Sequence, residues 1–158
     1  MSRKILILDD NKDFVQIMGE HLSENFDCVT STSGPDALDK LVDPSFRLVV
    51  TDYSMPDMNG DEFLKLLRAS GNLVPVIFLT GELTLELALN ALRMGAMDLM
   101  EKPVSLLDLE KAINRVIYID KRRRDYFAAI DGGQALQPDK TLGLLFVSIA
   151  ESAAKKTG

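Results

Sequence analysis

Three carboxylates, one hydroxyl and one ammonium stand where short apolar runs of this sequence end. In chain order they belong to Asp9, Asp10, Asp52, Thr80 and Lys102. Clustered carboxylates repel one another unless a cation lies between them, and all-oxygen ligands with room for water and phosphate suit Mg²⁺. A carboxylate can also accept a phosphoryl group, whose oxygens a metal, an ammonium and a hydroxyl would neutralise and hold. Together the five side chains predict this chemistry.

The apolar runs alternate with longer amphipathic stretches, a pattern typical of β-strands that alternate with α-helices. Strands are predicted at residues 5–8, 28–30, 46–51, 76–79 and 96–100. Helices are predicted at residues 12–23, from residue 33 onward, and at 61–69, 83–94 and 106–130. Because the strands are continuous apolar runs, helices should cover both faces of an open parallel α/β sheet. Sites in such sheets lie beyond the carboxyl ends of the strands, so the five side chains should meet at one edge.

Length and composition indicate one globular domain with an appendage, since the chain has 158 residues, 46% hydrophobic and 27% charged. One cysteine, Cys28, and one histidine, His21, exclude a disulfide framework and argue against a Cys/His catalytic pair. The net charge is −6, which argues against nucleic-acid binding. Residues 1–104 carry 9 basic against 17 acidic side chains, so a cation site is expected in this part of the chain. Without a signal-peptide pattern or an apolar run of about eighteen residues, the sequence predicts a soluble, cytoplasmic protein that binds no membrane.

The segments that carry the five side chains resemble the receiver domain of bacterial two-component response regulators. They read Ile-Leu-Ile-Leu-Asp-Asp-Asn at residues 5–11, Asp-Tyr-Ser-Met-Pro-Asp-Met-Asn-Gly at 52–60, Phe-Leu-Thr-Gly at 78–81 and Gly-Ala-Met-Asp-Leu-Met-Glu-Lys-Pro at 95–103. The resemblance covers residues 3–119. It implies a doubly wound α/β fold of the CheY-like type, with a five-stranded parallel sheet in the order 2-1-3-4-5 and, here, a C-terminal helical extension.

The resemblance also implies a role for each side chain of the site. Asp52 would accept a phosphoryl group from a sensor histidine kinase or a phosphotransfer protein. The Mg²⁺ ligands would be Asp9, Asp10, Asp52 and the backbone carbonyl of Ser54. Thr80 would be the switch hydroxyl and Lys102 the counter-ion of the phosphoryl group. The chain would then be a switch that catalyses only its own phosphorylation and dephosphorylation, not a turnover enzyme.

Two features at Lys102 follow from the same resemblance. The peptide bond between Lys102 and Pro103 is expected to be cis, as it usually is in the family. Three residues before the lysine the family commonly has Tyr or Phe, which moves inward with the threonine hydroxyl, and here Leu99 stands there. The usual read-out of phosphorylation, rather than phosphorylation itself, is therefore in question.

The sequence divides into a receiver domain at residues 1–120, a helix end and linker at 121–137, and an apolar helix at 138–158. Residues 121–124 (Lys-Arg-Arg-Arg) are either a solvated helix end or a partner-binding patch. A homodimer through helix 106–130 or the 139–155 tail is one hypothesis for the apolar positions of these segments. The tail is alternatively the stub of an output domain, which would make this chain the receiver of a larger regulator.

Two rival functions stay open at this point. A phosphatase of the haloacid-dehalogenase type would also use Asp52 as nucleophile, but it needs a second Asp two residues later, where Ser54 stands. A receiver-like scaffold that binds its partner without phosphate is the other rival, and Leu99 keeps it open.

Overall fold

The structure is a computed structural model and describes residues 3–131. Five strands and five helices alternate along the chain, in the order β1 Lys4–Leu8, α1 Lys12–Leu22, β2 Asp27–Ser31, α2 Gly34–Lys40, β3 Phe46–Asp52, α3 Gly60–Ala69, β4 Val76–Thr80, α4 Leu85–Met94, β5 Asp98–Glu101 and α5 Leu106–Asp131. All strand pairs are parallel and the sheet order is β2-β1-β3-β4-β5. The predicted fold class is confirmed. The predicted helix at 138–158 lies outside the described residues.

The sheet is buried between two layers of helices, which explains the continuous apolar runs of its central strands. One face packs against α2, α3 and α4, and its core includes Leu6, Leu8 and Phe78. The other face packs against α1 and α5, and its core includes Ile5 and Ile7. Successive residues of β1 therefore point to opposite layers, and each layer requires an apolar side chain.

All five helices begin with a side chain that accepts a hydrogen bond from the backbone N–H three residues later. These N-caps are Asn11, Ser33, Asn59, Thr84 and Ser105. Such caps satisfy an N–H group that would otherwise have no partner at the start of the helix. The caps of α1 and α4 follow closely on the carboxyl ends of β1 and β4, so they fix the loops that carry Asp10 and Gly81.

The end of α4 and the start of β5 differ slightly from the prediction. Gly95 ends α4 with φ 89°, as its position at the end of the periodic pattern indicated. Strand β5 begins at Asp98 rather than at residue 96, because the N–H of Ala96 still bonds the carbonyl of Ala91 in α4. Two residues of the predicted strand thus belong to the helix end and its connection.

The first half of helix α5 packs against one face of the sheet. Ile113, Val116 and Ile119 are buried, which places these residues in the core rather than on a dimer face. The basic residues 121–124 do not form a helix end, because α5 continues to Asp131. Arg123 and Arg124 both pair with the buried Asp120, at 2.6 and 3.0 Å. Within residues 3–131, no helix is long and apolar enough to cross a membrane.

Candidate functional site

The register of the sheet brings the predicted site residues to one edge. Leu8 pairs with Thr51, so the residues that follow them, Asp9 and Asp52, are neighbours across β1 and β3. Asp52 in turn pairs with Leu79 of β4, which precedes Thr80. On the far side of β4, the N–H of Lys102 donates to the carbonyl of Thr80 at 2.7 Å. The five side chains therefore come from four adjacent strands at their carboxyl ends, as predicted.

Three carboxylates form a cluster at this edge. Each of Asp9, Asp10 and Asp52 offers an oxygen, and these oxygens all lie within 4.8 Å of one another. Asp9 and Asp52 are buried whereas Asp10 is exposed, so the cluster opens to solvent on one side only. The N–H of Asn11 donates to Oδ1 of Asp9 at 2.9 Å and fixes this carboxylate. An all-oxygen cluster with an open side fits Mg²⁺, which keeps several waters among its ligands.

Lys102 lies across the cluster. Its Nζ is 2.7 Å from Oδ2 of Asp9 and 3.4 Å from Oδ1 of Asp52. Burial disfavours the charged ammonium, but the hydrogen bond with Asp9 and the charges of Asp52 and Asp9 outweigh it and raise the pKa of Lys102. The peptide bond from Lys102 to Pro103 is cis, as predicted.

Asp52 lies at the end of β3 and is 8% exposed. Burial is the largest influence on it and raises its pKa, and the charge of Asp9 acts in the same direction. The charge of Lys102 and the backbone N–H of Ser54 lower the pKa, without cancelling the rise. The protein itself thus compensates the negative charge of Asp52 only in part. A cation bound beside this carboxylate would have a strongly favourable electrostatic interaction with it.

Ser54 and Thr80 are the two predicted site residues that follow Asp52 in the chain and precede Lys102. Ser54 is exposed in the loop that follows β3, and only its backbone N–H is seen to act on Asp52. The Thr80 hydroxyl donates to the carbonyl of Glu82 at 3.1 Å and accepts from the N–H of the same residue at 3.3 Å. The hydroxyl is therefore held by the loop before α4.

Leu99 lies inside the protein. It is 3% exposed and belongs to the core on the α2–α4 face, next to Phe78 in the ladder between β4 and β5. Its role in this structure is that of a core residue.

Sequence reasoning missed that Phe14 also lies at this edge. The ring of Phe14 lies under the ammonium of Lys102, with Nζ 4.7 Å from the ring centroid. The sequence shows Phe14 only as one of the apolar positions of α1. No sequence signal pairs it with a lysine that follows so much later in the chain.

A groove elsewhere in the molecule does not involve this site. Its volume is about 1320 Å³, and it lies where β3 and β4 begin, between the end of α3 and the second half of α5. None of the five predicted side chains lines it. The groove and the carboxylate cluster thus lie at opposite edges of the sheet.

Comparison with known proteins agrees with this geometry. Residues 5–114 match the family model described as the response regulator receiver domain. The chain belongs to this family. Acceptance of a phosphoryl group is the function of these domains, which act as phosphorylation switches and interact with histidine kinases or phosphotransfer proteins.

Among curated relatives, a probable cyclic di-GMP phosphodiesterase of Vibrio cholerae serotype O1 is 32% identical over 123 residues, which are 77% of this chain and 28% of that protein. The response regulator SaeR of Staphylococcus aureus is 32% identical over 114 residues, or 72% of this chain and 50% of SaeR. The chain thus spans half or less of these relatives. A solved receiver domain from Clostridium thermocellum, 31% identical, superposes with a TM-score of 0.70 over 75% of this chain and 97% of that one.

Proposed function

We propose that Asp52 of this receiver domain accepts a phosphoryl group from a phosphohistidine and that this switches its association with a partner or with itself. The observation that carries the proposal is the meeting of three carboxylate oxygens within 4.8 Å of one another with the Lys102 ammonium 3.4 Å from Asp52. The carboxylates can hold a metal ion, and the ammonium lies beside them. Both supply the positive charge that an incoming phosphoryl group requires.

The transfer uses few groups. An oxygen of Asp52 attacks the phosphorus in line, the bond from phosphorus to the histidine nitrogen breaks, and that nitrogen leaves with the electron pair. Lys102 neutralises charge on the phosphoryl oxygens. We assign Asp9, Asp10, Asp52 and the carbonyl of Ser54 as the ligands that hold Mg²⁺, which supplies positive charge at the same oxygens when it is bound. The Thr80 hydroxyl then exchanges the Glu82 backbone for a phosphoryl oxygen.

We further propose that the chain is a switch and not a turnover enzyme. A phosphatase of the haloacid-dehalogenase type needs a second Asp two residues after its aspartate nucleophile, which here would be residue 54. Ser54 is exposed there and cannot act as a general acid, since a hydroxyl does not titrate in the working range. The phosphoryl group therefore leaves Asp52 only by its own slow hydrolysis.

Partners and location complete the proposal. A sensor histidine kinase or a phosphotransfer protein supplies the phosphoryl group, in the cytoplasm. The net charge of −6 argues against nucleic acid as a direct partner. For self-association, the second half of α5 carries the exposed apolar side chains of Phe127 and Ile130, whereas the 139–155 tail lies outside the described residues. Sizing the chain before and after phosphorylation tests the homodimer, and equal monomeric masses would exclude it.

Intact mass tests the chemistry. The chain is incubated with Mg²⁺ and acetyl phosphate, beside the variants Asp52→Asn and Asp57→Asn. Asp57 is exposed in the same loop, so its substitution is a matched control for the loss of one nearby charge. The expected result is one added phosphoryl group on wild type and on Asp57→Asn, lost in Asp52→Asn and after chelation of the metal. No added mass under any condition would overturn the proposal and favour the phosphate-independent scaffold.

A further inference from the structure

The ring of Phe14 closes one side of the Lys102 environment. The ammonium of Lys102 contacts Asp9 at 2.7 Å, Asp52 at 3.4 Å and the face of the Phe14 ring at 4.7 Å from its centroid. A cation over an aromatic face is attracted by the electrons of the ring, and more strongly where water is partly excluded. The Lys102 side chain is only 27% exposed, so this condition is partly met.

Two hydrogen bonds hold Phe14 in register with the site. The N–H of Asn11 donates to Oδ1 of Asp9 at 2.9 Å, and the side chain of Asn11 accepts from the N–H of Phe14 at 3.2 Å. Asn11 therefore connects a carboxylate of the cluster to the first turn of α1, which carries the ring. The position of the ring relative to the ammonium follows from this connection and not from core packing alone.

We propose that Phe14 is a positioning residue that holds the ammonium of Lys102 beside Asp52, an inference that rests on the proposed function. The lysine side chain is long and flexible, and its ammonium lies nearer to Asp9 than to Asp52. Without the ring, the ammonium can rotate into water or entirely onto Asp9. With the ring, it stays between the two carboxylates, where it meets the oxygens of an incoming phosphoryl group.

The alternative is that Phe14 only fills space. Phe14 packs against the core on the α1–α5 face, so its loss could weaken the fold without any effect on Lys102. Leucine retains most of the apolar packing but has no aromatic face, whereas tyrosine retains the face. The pair Phe14→Leu and Phe14→Tyr therefore separates the two roles.

The first measurement is the initial rate of phosphoryl incorporation from acetyl phosphate at saturating Mg²⁺. We expect Phe14→Leu to slow the rate about fivefold and Phe14→Tyr to stay within about twofold of wild type. In a chain that already carries Lys102→Met, whose slow phosphorylation is followed over hours, Phe14→Leu should cause no further loss of rate, because the ammonium that Phe14 positions is absent. An equal fold loss in both backgrounds, or equal rates of Phe14→Leu and wild type, would overturn the inference.

Phe26→Leu is the matched control. Phe26 also lies under a cation, with the Arg3 guanidinium 4.7 Å from its ring centroid, but at the other edge of the sheet. Its substitution removes the same type of contact far from Lys102. We expect it to lower the free energy of unfolding in urea and to leave the phosphorylation rate of the folded chain unchanged.

A second measurement does not depend on phosphorylation. Protons of Lys102 next to its ammonium should resonate upfield in the NMR spectrum of wild type and Phe14→Tyr, because they lie over an aromatic face, and at ordinary positions in Phe14→Leu. Ordinary positions in wild type would overturn the inference. Upfield positions in a wild-type chain that gains no phosphoryl group would instead confirm the contact and reject the proposed function.

Discussion

The ammonium of Lys102 donates to the carboxylate of Asp9 at 2.7 Å, across 93 positions of the sequence. Asp9 is 1% exposed, and a buried carboxylate is costly unless it is paired and hydrogen-bonded. The pair offsets that cost in the protein without metal. The same ammonium lies beside the carboxylate oxygens that we assign to Mg²⁺, so it repels the metal ion. Both positive charges nevertheless attract an incoming phosphoryl group.

This opposition predicts that Lys102→Met changes metal binding and phosphorylation in opposite directions. Removal of the ammonium should lower the Kd for Mg²⁺ at least about fivefold, because a repulsive charge a few ångströms away is lost. The same change should slow phosphorylation of Asp52 by about 10²–10³, the usual effect of removing one oriented charge donor. Tyrosine fluorescence during a Mg²⁺ titration measures the first effect and intact mass the second. Lys65→Met, at an exposed position of α3, is the control, and weaker Mg²⁺ binding by Lys102→Met would contradict the prediction.

Asp52→Asn should stabilise the fold at neutral pH. Burial raises the pKa of Asp52 in the folded protein, so the stability contributed by this group is present below its unfolded pKa and is lost as the pH rises through the folded value. At pH 7 the charge therefore costs free energy that the neutral amide avoids. We expect the free energy of unfolding to rise by about 1 kcal/mol, with a Tm increase of about 2–4 °C.

The pH profile and a second variant check this effect. The difference between Asp52→Asn and wild type should shrink from pH 7 toward pH 4, as the carboxyl of wild type takes up its proton. Saturating Mg²⁺ should reduce the difference in stability at pH 7, because only wild type has the third carboxylate with which to bind the metal. Asp57→Asn, at an exposed position, should leave the Tm unchanged. A Tm gain of Asp52→Asn that is independent of pH would exclude the charge as its cause.

Much of the site could be predicted because strand ends are visible in the sequence. The apolar runs before Asp9, Asp52 and Thr80 end sharply, and parallel topology brings such ends to one edge whatever the details of packing. Lys102 follows the weaker apolar run of β5, so the same topology brings it to this edge. The arrangement is thus a consequence of topology, which patterns of apolar residues indicate well.

Contacts between side chains from distant elements could not be predicted in this way. The position of Phe14 under Lys102 depends on the hydrogen bonds by which Asn11 connects Asp9 to the first turn of α1, which no periodicity encodes. The sequence also could not separate core from interface for Ile113 and Val116, because both environments select apolar residues at helical spacing. For residues 121–124, the dense basic run suggested a helix end, whereas α5 continues to Asp131 and two of the four basic side chains pair with Asp120.

Gly60 illustrates the same limit and yields a prediction. In an Asn-Gly pair between a strand and a helix, glycine usually supplies permissive turn backbone, yet among the described glycines only Gly71 and Gly95 have positive φ. A Cβ at Gly60 would instead lie 2.7 Å from the Tyr53 ring and 2.8 Å from the Phe78 ring, whose T-shaped contact closes the space. Gly60→Ala should therefore lower the free energy of unfolding by about 1–3 kcal/mol.

Urea unfolding measures this cost, and Gly81→Ala is the matched control for the loss of a loop glycine. Apart from Gly81 itself and its two chain neighbours, nothing lies within 4 Å of the place where a Cβ at Gly81 would stand. Its substitution should leave the free energy of unfolding unchanged to within about 0.5 kcal/mol. Equal destabilisation by Gly60→Ala and Gly81→Ala would show that backbone freedom, and not the two rings, determines the need for glycine at residue 60.

The Thr80 hydroxyl gives the last prediction, which concerns the read-out. Because this hydroxyl bonds the backbone of Glu82, phosphorylation that draws it away must release the loop before α4. In wild type, addition of Mg²⁺ and acetyl phosphate should shift the amide NMR signals of Gly81, Glu82 and Leu83. In Thr80→Ala, intact mass should still show one phosphoryl group on the chain, while the changes in these shifts fall to less than about half of their wild-type size.

Thr80→Ser retains the hydroxyl and should restore the shifts, which separates the hydrogen bond from the methyl group. Leu99→Ala is the second comparison, because Leu99 is a buried core residue that pairs with Phe78, whereas Thr80 pairs with Glu101. It should lower the free energy of unfolding by about 2–5 kcal/mol and leave the shifts of the loop in place in the folded fraction. Loss of the shifts in Leu99→Ala but not in Thr80→Ala would mean that the read-out runs through β5 and its core instead of through the loop held by Thr80.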